Sequence, residues 1–393
     1  MPILTDILML AGGGSSATKN VEYIAVGTSI GLHILKFDPN TNSLTQTASY
    51  NFQDQGIDEK TAMAGTWMAN TQVFAVATCA SEMSGNTRVT IFRNAAAGSL
   101  SYHNTAIYES TSAKPENSIA KSSSLYDGEE IGLDYGLIHW SNPNRNSYGY
   151  VNIQNTSGDI FSSRVDVLPN YQRIVGLSIV DNLVYWSNNN LQFCIGSDIT
   201  SAPSVSNNYG SMELIATAVS RPGLDNSAND IIIGLYSGGL YAIRHANRTS
   251  INRITSFGLS PENPGSLDMS ADCRYIATGN TSSRLDIIRH IESNGNMSRV
   301  TQLQFQSYMN ANTDIQAVKY NNAYANSGNL LLYVADYSTT NTSTGNAHSN
   351  LMVFSCNTTG HATLLASYNM RYFSPFASAP IVKILDIISV PPQ

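Results

Sequence analysis

One short phrase recurs along this chain: a buried strand, a tight turn, a second strand ending in a basic or polar residue, then a polar turn and a third strand. Its clearest copy is YIAVGTSIGLHILKFDPNTNSLTQTASY, from Tyr23 to Tyr50. Related copies begin near Val73, Leu137, Leu183, Ile231, Tyr275 and Leu332. Upstream of most copies a further apolar run is joined by a short polar turn, as in RIVGLSIV-DN-LVYW and AMAGTWMA-NT-QVFAVAT. Two strands joined by a two-residue polar turn form a hairpin, so each repeat supplies about four strands.

Four-stranded units repeated at roughly 45–65 residues, all of them β, are the sequence signature of a propeller. The expected fold is all-β: a single seven-bladed β-propeller with four-stranded blades, filling residues 1–393 as one domain. Runs such as YIAV, IIIGL, LLYVA and LVYW are continuously apolar, as a strand buried on both faces requires, whereas the outer segments alternate or turn polar. The C-terminal IVKILDIISV (Ile381 to Val390) and the N-terminal ILTDILMLA are both strand-like. Either can close the ring, and the C-terminal one is expected as the inner strand of the first blade. HWSN and YWSN place Trp140 and Trp186 at equivalent positions, where large aromatics fill the wedge between blades.

Charged residues make up 12% of the chain, about half the usual share. Its polar surface is therefore built from amides and hydroxyls, which pair with a protein neighbour at lower desolvation cost than full charges. A net charge of −7 gives no electrostatic footprint for nucleic acid. No run reaches the roughly 18 apolar residues of a membrane-spanning helix. MPILTDILMLAGGG carries an acidic residue and no basic one before its apolar stretch, so a classical secretory signal is not expected and a virion or cytoplasmic setting is.

No cofactor, metal, catalytic or cofactor-binding residue is assigned. Cys79, Cys194, Cys273 and Cys356 are scattered without a C-x-x-C pair and read as small buried hydrophobes. N-x-S/T triplets at Asn155, Asn247, Asn280, Asn296, Asn341 and Asn357 match what a chain rich in Asn, Ser and Thr produces by chance. Gly27-Thr28-Ser29-Ile30-Gly31 fits the G-x-S-x-G nucleophile pattern, but strands flank it and no helix follows, so it reads as a hairpin turn. The glycines between Ala11 and Asn20 lack phosphate-loop spacing and read as a loop. His139, His245 and His290 fall at dissimilar repeat positions without metal-ligand spacing. Asp127, Glu129 and Glu130 form an acidic loop, read as solvated rather than as a cation site at the axial mouth. Lys36, Arg93, Arg244 and Arg289 end the third strand of several repeats; they form either a basic band facing an acidic partner or the solvated positions of alternating strands.

The phrase VGTSIGLHILKFDPNTNSL, with weaker echoes in IIRHIESNGNMSRVTQLQF and MVFSCNTTGHATLL, resembles blades of the lactonase-like seven-bladed propellers, and more broadly of WD40-like ones. That superfamily includes 6-phosphogluconolactonases and cycloisomerases, whose active members carry a Pro-Arg-His-like phrase ahead of a P-D-G-R-Y turn. Here the matching stretch is NPGSLDMSADCRYIATG: Arg274 and Tyr275 of the turn are present and the Arg-His phrase is absent. The resemblance therefore implies the fold and not the activity. The composition is also similar in style to phage and viral structural proteins. Together these readings give a non-catalytic interaction propeller, a docking platform whose partners are other protein subunits of a virion or similar assembly, with no nucleic acid and no membrane insertion. The alternative is a lactonase-like or sugar-binding propeller with a small-ligand site at the axial mouth.

Overall fold

The computed structural model describes residues 21–51, 61–68, 73–79, 88–93, 98–107, 123–127, 135–142, 147–154, 160–167, 174–180, 183–188, 193–196, 214–219, 229–236, 239–246, 250–259, 264–270, 274–280, 283–290, 296–305, 313–321, 330–338, 348–370 and 384–390. These residues are all-β, in antiparallel sheets whose strands follow one another in chain order. Sheet 1 contains β1 (Glu22–Thr28), β2 (Gly31–Asp38) and β3 (Ser43–Asn51), and β27 (Ile384–Val390) is hydrogen-bonded to β1 at its edge. Sheet 2 runs β4 (Thr61–Met68), β5 (Val73–Cys79), β6 (Arg88–Arg93), β7 (Ser101–Ile107). Sheet 3 runs β8 (Ser123–Asp127), β9 (Tyr135–Asn142), β10 (Ser147–Gln154), β11 (Ile160–Val167). Sheet 4 has three strands among the described residues: β12 (Ile174–Val180), β13 (Leu183–Asn188) and β14 (Phe193–Gly196). Sheet 5 runs β15 (Leu214–Val219), β16 (Asn229–Tyr236), β17 (Gly239–Ala246), β18 (Ser250–Gly258). Sheet 6 runs β19 (Pro264–Met269), β20 (Tyr275–Asn280), β21 (Arg284–His290), β22 (Met297–Gln304). Sheet 7 runs β23 (Asp314–Tyr320), β24 (Leu330–Ser338), β25 (His348–Cys356), β26 (Ala362–Asn369).

The first strands of successive sheets lie side by side: β4 against β8, β8 against β12, β12 against β15, β15 against β19, β19 against β23, β23 against β27, and β27 against β4. The core consists of the seams between sheets. Ile24 and Val26 pack against Tyr333, Leu351 and Val353 of sheet 7, while Ala25, between them on the same strand, packs with Phe92 of sheet 2. Strand alternation thus sends successive side chains of β1 into two different seams, which is why the run YIAV is apolar throughout. Likewise Leu285 and Ile287 face Leu332 and Phe354 of sheet 7, whereas Ile288 joins Ile233 and Ala242 of sheet 5. The outermost strands β3, β22 and β26 alternate between exposed and more buried positions, as strands with one wetted face do.

Two seams carry the same outer clasp. In the turn after β6, Gly98 has φ 82°, and a Cβ there would lie 2.8 Å from Thr47 Oγ1 and 3.0 Å from Tyr23 Cε1 of sheet 1. In the turn after β25, Gly360 has φ 86°, and a Cβ would lie 2.6 Å from Tyr275 Cε1 of sheet 6. There the Thr301 hydroxyl donates to the Gly360 carbonyl at 3.2 Å and the Tyr275 hydroxyl donates to the Thr358 carbonyl. Only a residue without a side chain fits a left-handed turn pressed this closely on a tyrosine ring.

Candidate functional site

At one end of the sheets, the turns between second and third strands meet the beginnings of the first strands, and polar groups collect there. The turn from β1 to β2 is closed by Thr28, whose Oγ1 accepts from the amides of Ile30 (3.3 Å) and Gly31 (3.2 Å) and donates to the Gly31 carbonyl at 2.9 Å. The G-x-S-x-G phrase is therefore a hairpin turn, organised by the residue before its serine.

At the same end, serine hydroxyls link sheet 6 to sheet 7 and sheet 7 to sheet 1. Ser283, before β21, has φ 62°; its Oγ accepts the Thr313 amide at 2.6 Å where β23 begins, and its carbonyl accepts the Phe305 amide at 2.7 Å. Ser349 on β25 accepts the Ile384 amide at 3.2 Å where β27 begins, and donates to the Asp336 carbonyl at 3.2 Å. Asn280 Oδ1 accepts the Arg284 amide at 2.9 Å. Asp336, fully buried, accepts from the amide (2.8 Å) and Nδ2 (2.9 Å) of Asn350 across the β24–β25 pair.

Beside this end lies a charge cluster. Asp286 is buried and accepts Arg284 Nε at 3.0 Å, Arg299 Nε at 3.0 Å and Gln302 Nε2 at 3.1 Å. Arg299 keeps 32% of its side chain exposed and sits 5.9 Å over the Phe257 ring of β18. A single buried carboxylate thus holds two guanidiniums and an amide, joining side chains of β21 and β22. Among the described residues no three His, Cys, Asp or Glu side chains gather as a metal set would.

The remaining sequence candidates are dispersed. Lys36, Arg93, Arg244 and Arg289 do occupy equivalent register positions, opposite Tyr23, Val73, Ile231 and Tyr275. Arg93 lies 3.1 Å from His103 Nε2, Arg289 is exposed, and the Arg244 side chain falls outside the described residues. His290 is buried at the end of β21, where its amide donates to the Arg274 carbonyl at 2.7 Å; the side chains of His139 and His245 lie outside the described residues. Cys356 is buried in the seam between sheets 6 and 7, which pushes its thiol up to about 12. Cys273, Glu129, Glu130, the glycines of 11–20, and the side chains of Cys79, Cys194, Asp127, Trp140 and Trp186 lie outside the described residues. Of the triplets, Asn280 is buried and structural, while Asn296 and Asn357 are exposed. Arg274 and Tyr275 close a hairpin in which Ser270 Oγ accepts the Tyr275 amide at 2.9 Å. The Asp286 cluster went unread in the sequence; its one signal is the pair Arg284 and Asp286 two apart on a strand, which places both on one face.

No protein-family model matches the chain, and no curated protein matches it. Among solved structures it is similar to the periplasmic gluconolactonase of Pseudomonas aeruginosa, with 13% identity and a TM-score of 0.62, over 88% of this chain and 96% of that one. It is similar also to a putative 6-phosphogluconolactonase from Bacteroides uniformis, with 12% identity and a TM-score of 0.58, over 89% and 100% of the two chains. The β-propeller domain of Myceliophteria thermophila Cps50 (Swd1) matches at 11% identity and a TM-score of 0.50, over 77% and 85%. The fold is thus propeller-like. The expectation of a virion docking platform is corrected here: two structures that share this fold over nearly their full length are described as a gluconolactonase and a putative 6-phosphogluconolactonase, and neither supports a phage or virion role. Low charge and abundant amides describe how the surface is made, and they do not carry a function.

Proposed function

We propose that residues 1–393 form one closed ring of seven sheets, completed by β27 in the first of them, and that the polar end of this ring takes a small polyhydroxylated ligand of the sugar-lactone class. The observation that carries the functional half is the coverage of 96% of a gluconolactonase chain and 100% of a putative 6-phosphogluconolactonase chain by the match to this one. The unbroken succession of first-strand contacts, from β4 through β23 to β27 and back, supports the ring. Hydroxyl, amide and guanidinium groups at the turn end suit a ligand rich in hydroxyls with one carbonyl. For a lactone, water adds to the carbonyl carbon, the ring C–O bond breaks, and a carboxylic acid and an alcohol result. Guanidinium donors such as Arg284 stabilise the carbonyl oxygen as its charge grows.

The test is a calorimetric titration with gluconolactone beside a proton-release assay of its hydrolysis. Saturable binding and release above the spontaneous rate are expected, and Arg284→Gln, checked for an intact thermal transition, should weaken binding about tenfold, the loss of a charge-assisted hydrogen bond. Absence of both saturable heat and acceleration in the parent protein contradicts the proposal.

A further inference from the structure

Where sheet 1 meets sheet 7, one acidic side chain sits inside an apolar seam. Glu22, the first residue of β1, is 3% exposed and lies opposite Phe37 in the register. Its face continues through Ile24 and Val26 into the cluster formed with Leu331, Tyr333 and Leu351. Glu22 Oε2 accepts Asn321 Nδ2 at 3.0 Å, and the same Nδ2 lies 3.2 Å from the hydroxyl of Tyr333, itself fully buried. Asn321 follows β23 directly, so 299 positions of sequence separate the two sides of this contact. The contact joins the sheet that contains both β1 and β27 to the sheet that precedes β27 in the chain.

No cation offsets the carboxylate among the described residues. Lys36 pairs with Tyr23 and alternates to the opposite face of sheet 1. Lys319 is bound to Asp268 of sheet 6 at 3.4 Å. Asp38, the last residue of β2, is half-buried at the strand's end, and Asp386 pairs with Gly27 at the far end of β1. Among the described residues, the titratable groups on this seam besides Glu22 are Tyr333, His33 opposite Val26 and, on β26, Tyr368. Burial holds His33 down to about 4 and raises both tyrosines, so all three are neutral across the ordinary pH range. Among the described residues of the seam Glu22 alone changes charge there, and burial raises its carboxyl above the usual range while the Asn321 bond lowers it in part.

We propose that Glu22, Asn321 and Tyr333 form a proton-operated latch on the seam between sheets 1 and 7: with the carboxyl neutral the seam is closed, and ionisation of Glu22 loosens it. A group with a raised folded value stabilises the fold below its unfolded value, and that contribution is lost as pH rises through the folded one. The loss falls on the seam that packs β1 and β27 of sheet 1 against sheet 7.

Amide hydrogen exchange of the full chain, corrected for the intrinsic rate at each pH, tests this. Protection in β27 and β1 should fall with rising pH by up to about tenfold per unit, the slope for one ionising group, while β20 and β21 keep theirs. Glu22→Gln should abolish that slope and keep high protection at every pH. Tyr333→Phe retains the carboxyl and should retain the slope. A parent protein with no pH dependence in β27, an unchanged slope in Glu22→Gln, or a slope lost in Tyr333→Phe overturns the latch. The parent profile and the Tyr333→Phe profile decide the matter even where Glu22→Gln fails to fold.

Discussion

Glu22 and His33 share one face of sheet 1 and respond to pH in opposite directions. Burial of His33 depresses its value from 6.5 to about 4, with the nearby Gln46 side chain acting the other way by less. The folded chain therefore holds His33 neutral. As pH falls below 6.5, the unfolded chain gains a proton that the folded chain refuses, and stability declines until the folded value near 4 is reached. The size is about 3 kcal/mol, from roughly 1.4 kcal/mol per unit of displacement. Urea midpoints measured across this window should decline in the parent and stay nearly level in His33→Gln. An equal decline in both would assign the acid limb to other groups. Neither residue was legible as special in the sequence. His33 sits in the phrase GLHILKF at a position where alternation alone leaves open whether a side chain is wet or dry, and only the packing of sheet 7 makes it dry.

At the scale of elements, hairpins and buried second strands were readable because period and turn chemistry are local properties. The two-residue turns Asp181-Asn182 and the run SLDMS-ADC-RYIATG correspond to β12–β13 and β19–β20. The clasps and the serine links between sheets were not readable, since each depends on residues far apart in sequence: Tyr275 with Thr358 and Gly360, Ser283 with Thr313. The clasp makes its own prediction. Gly360→Ala combines a strained φ of 86° with a Cβ pressed on the Tyr275 ring, so it should cost about 1–3 kcal/mol in chemical denaturation, the range for strain plus overpacking. The same change at Gly258, where a Cβ meets nothing within 4 Å, should be close to neutral. Equal effects at the two sites would show that the clasp does not stabilise the seam.

Over the whole molecule, the repeat spacing made an all-β repeat fold legible, and the continuous apolar runs located the seams. Function was the part misread. An amide-rich composition suits an assembly component, whereas the fold it accompanies is shared with structures described as a gluconolactonase and a putative 6-phosphogluconolactonase. The missing Arg-His phrase removed the one local signal of chemistry, and the groups that do gather, Arg284, Asp286, Arg299 and Gln302, come from two strands and announce themselves only once those strands pair. The account rests on β27 pairing with β1 in sheet 1, where it contributes Ile384 and Ile387 to the core shared with sheet 7. Deleting residues 381–393 and following thermal unfolding measures this most directly. Loss of β27 should lower the transition of the entire molecule, or abolish the folded state, because every sheet leans on a neighbour. A truncated chain that unfolds at the parent's temperature with the parent's cooperativity would contradict it.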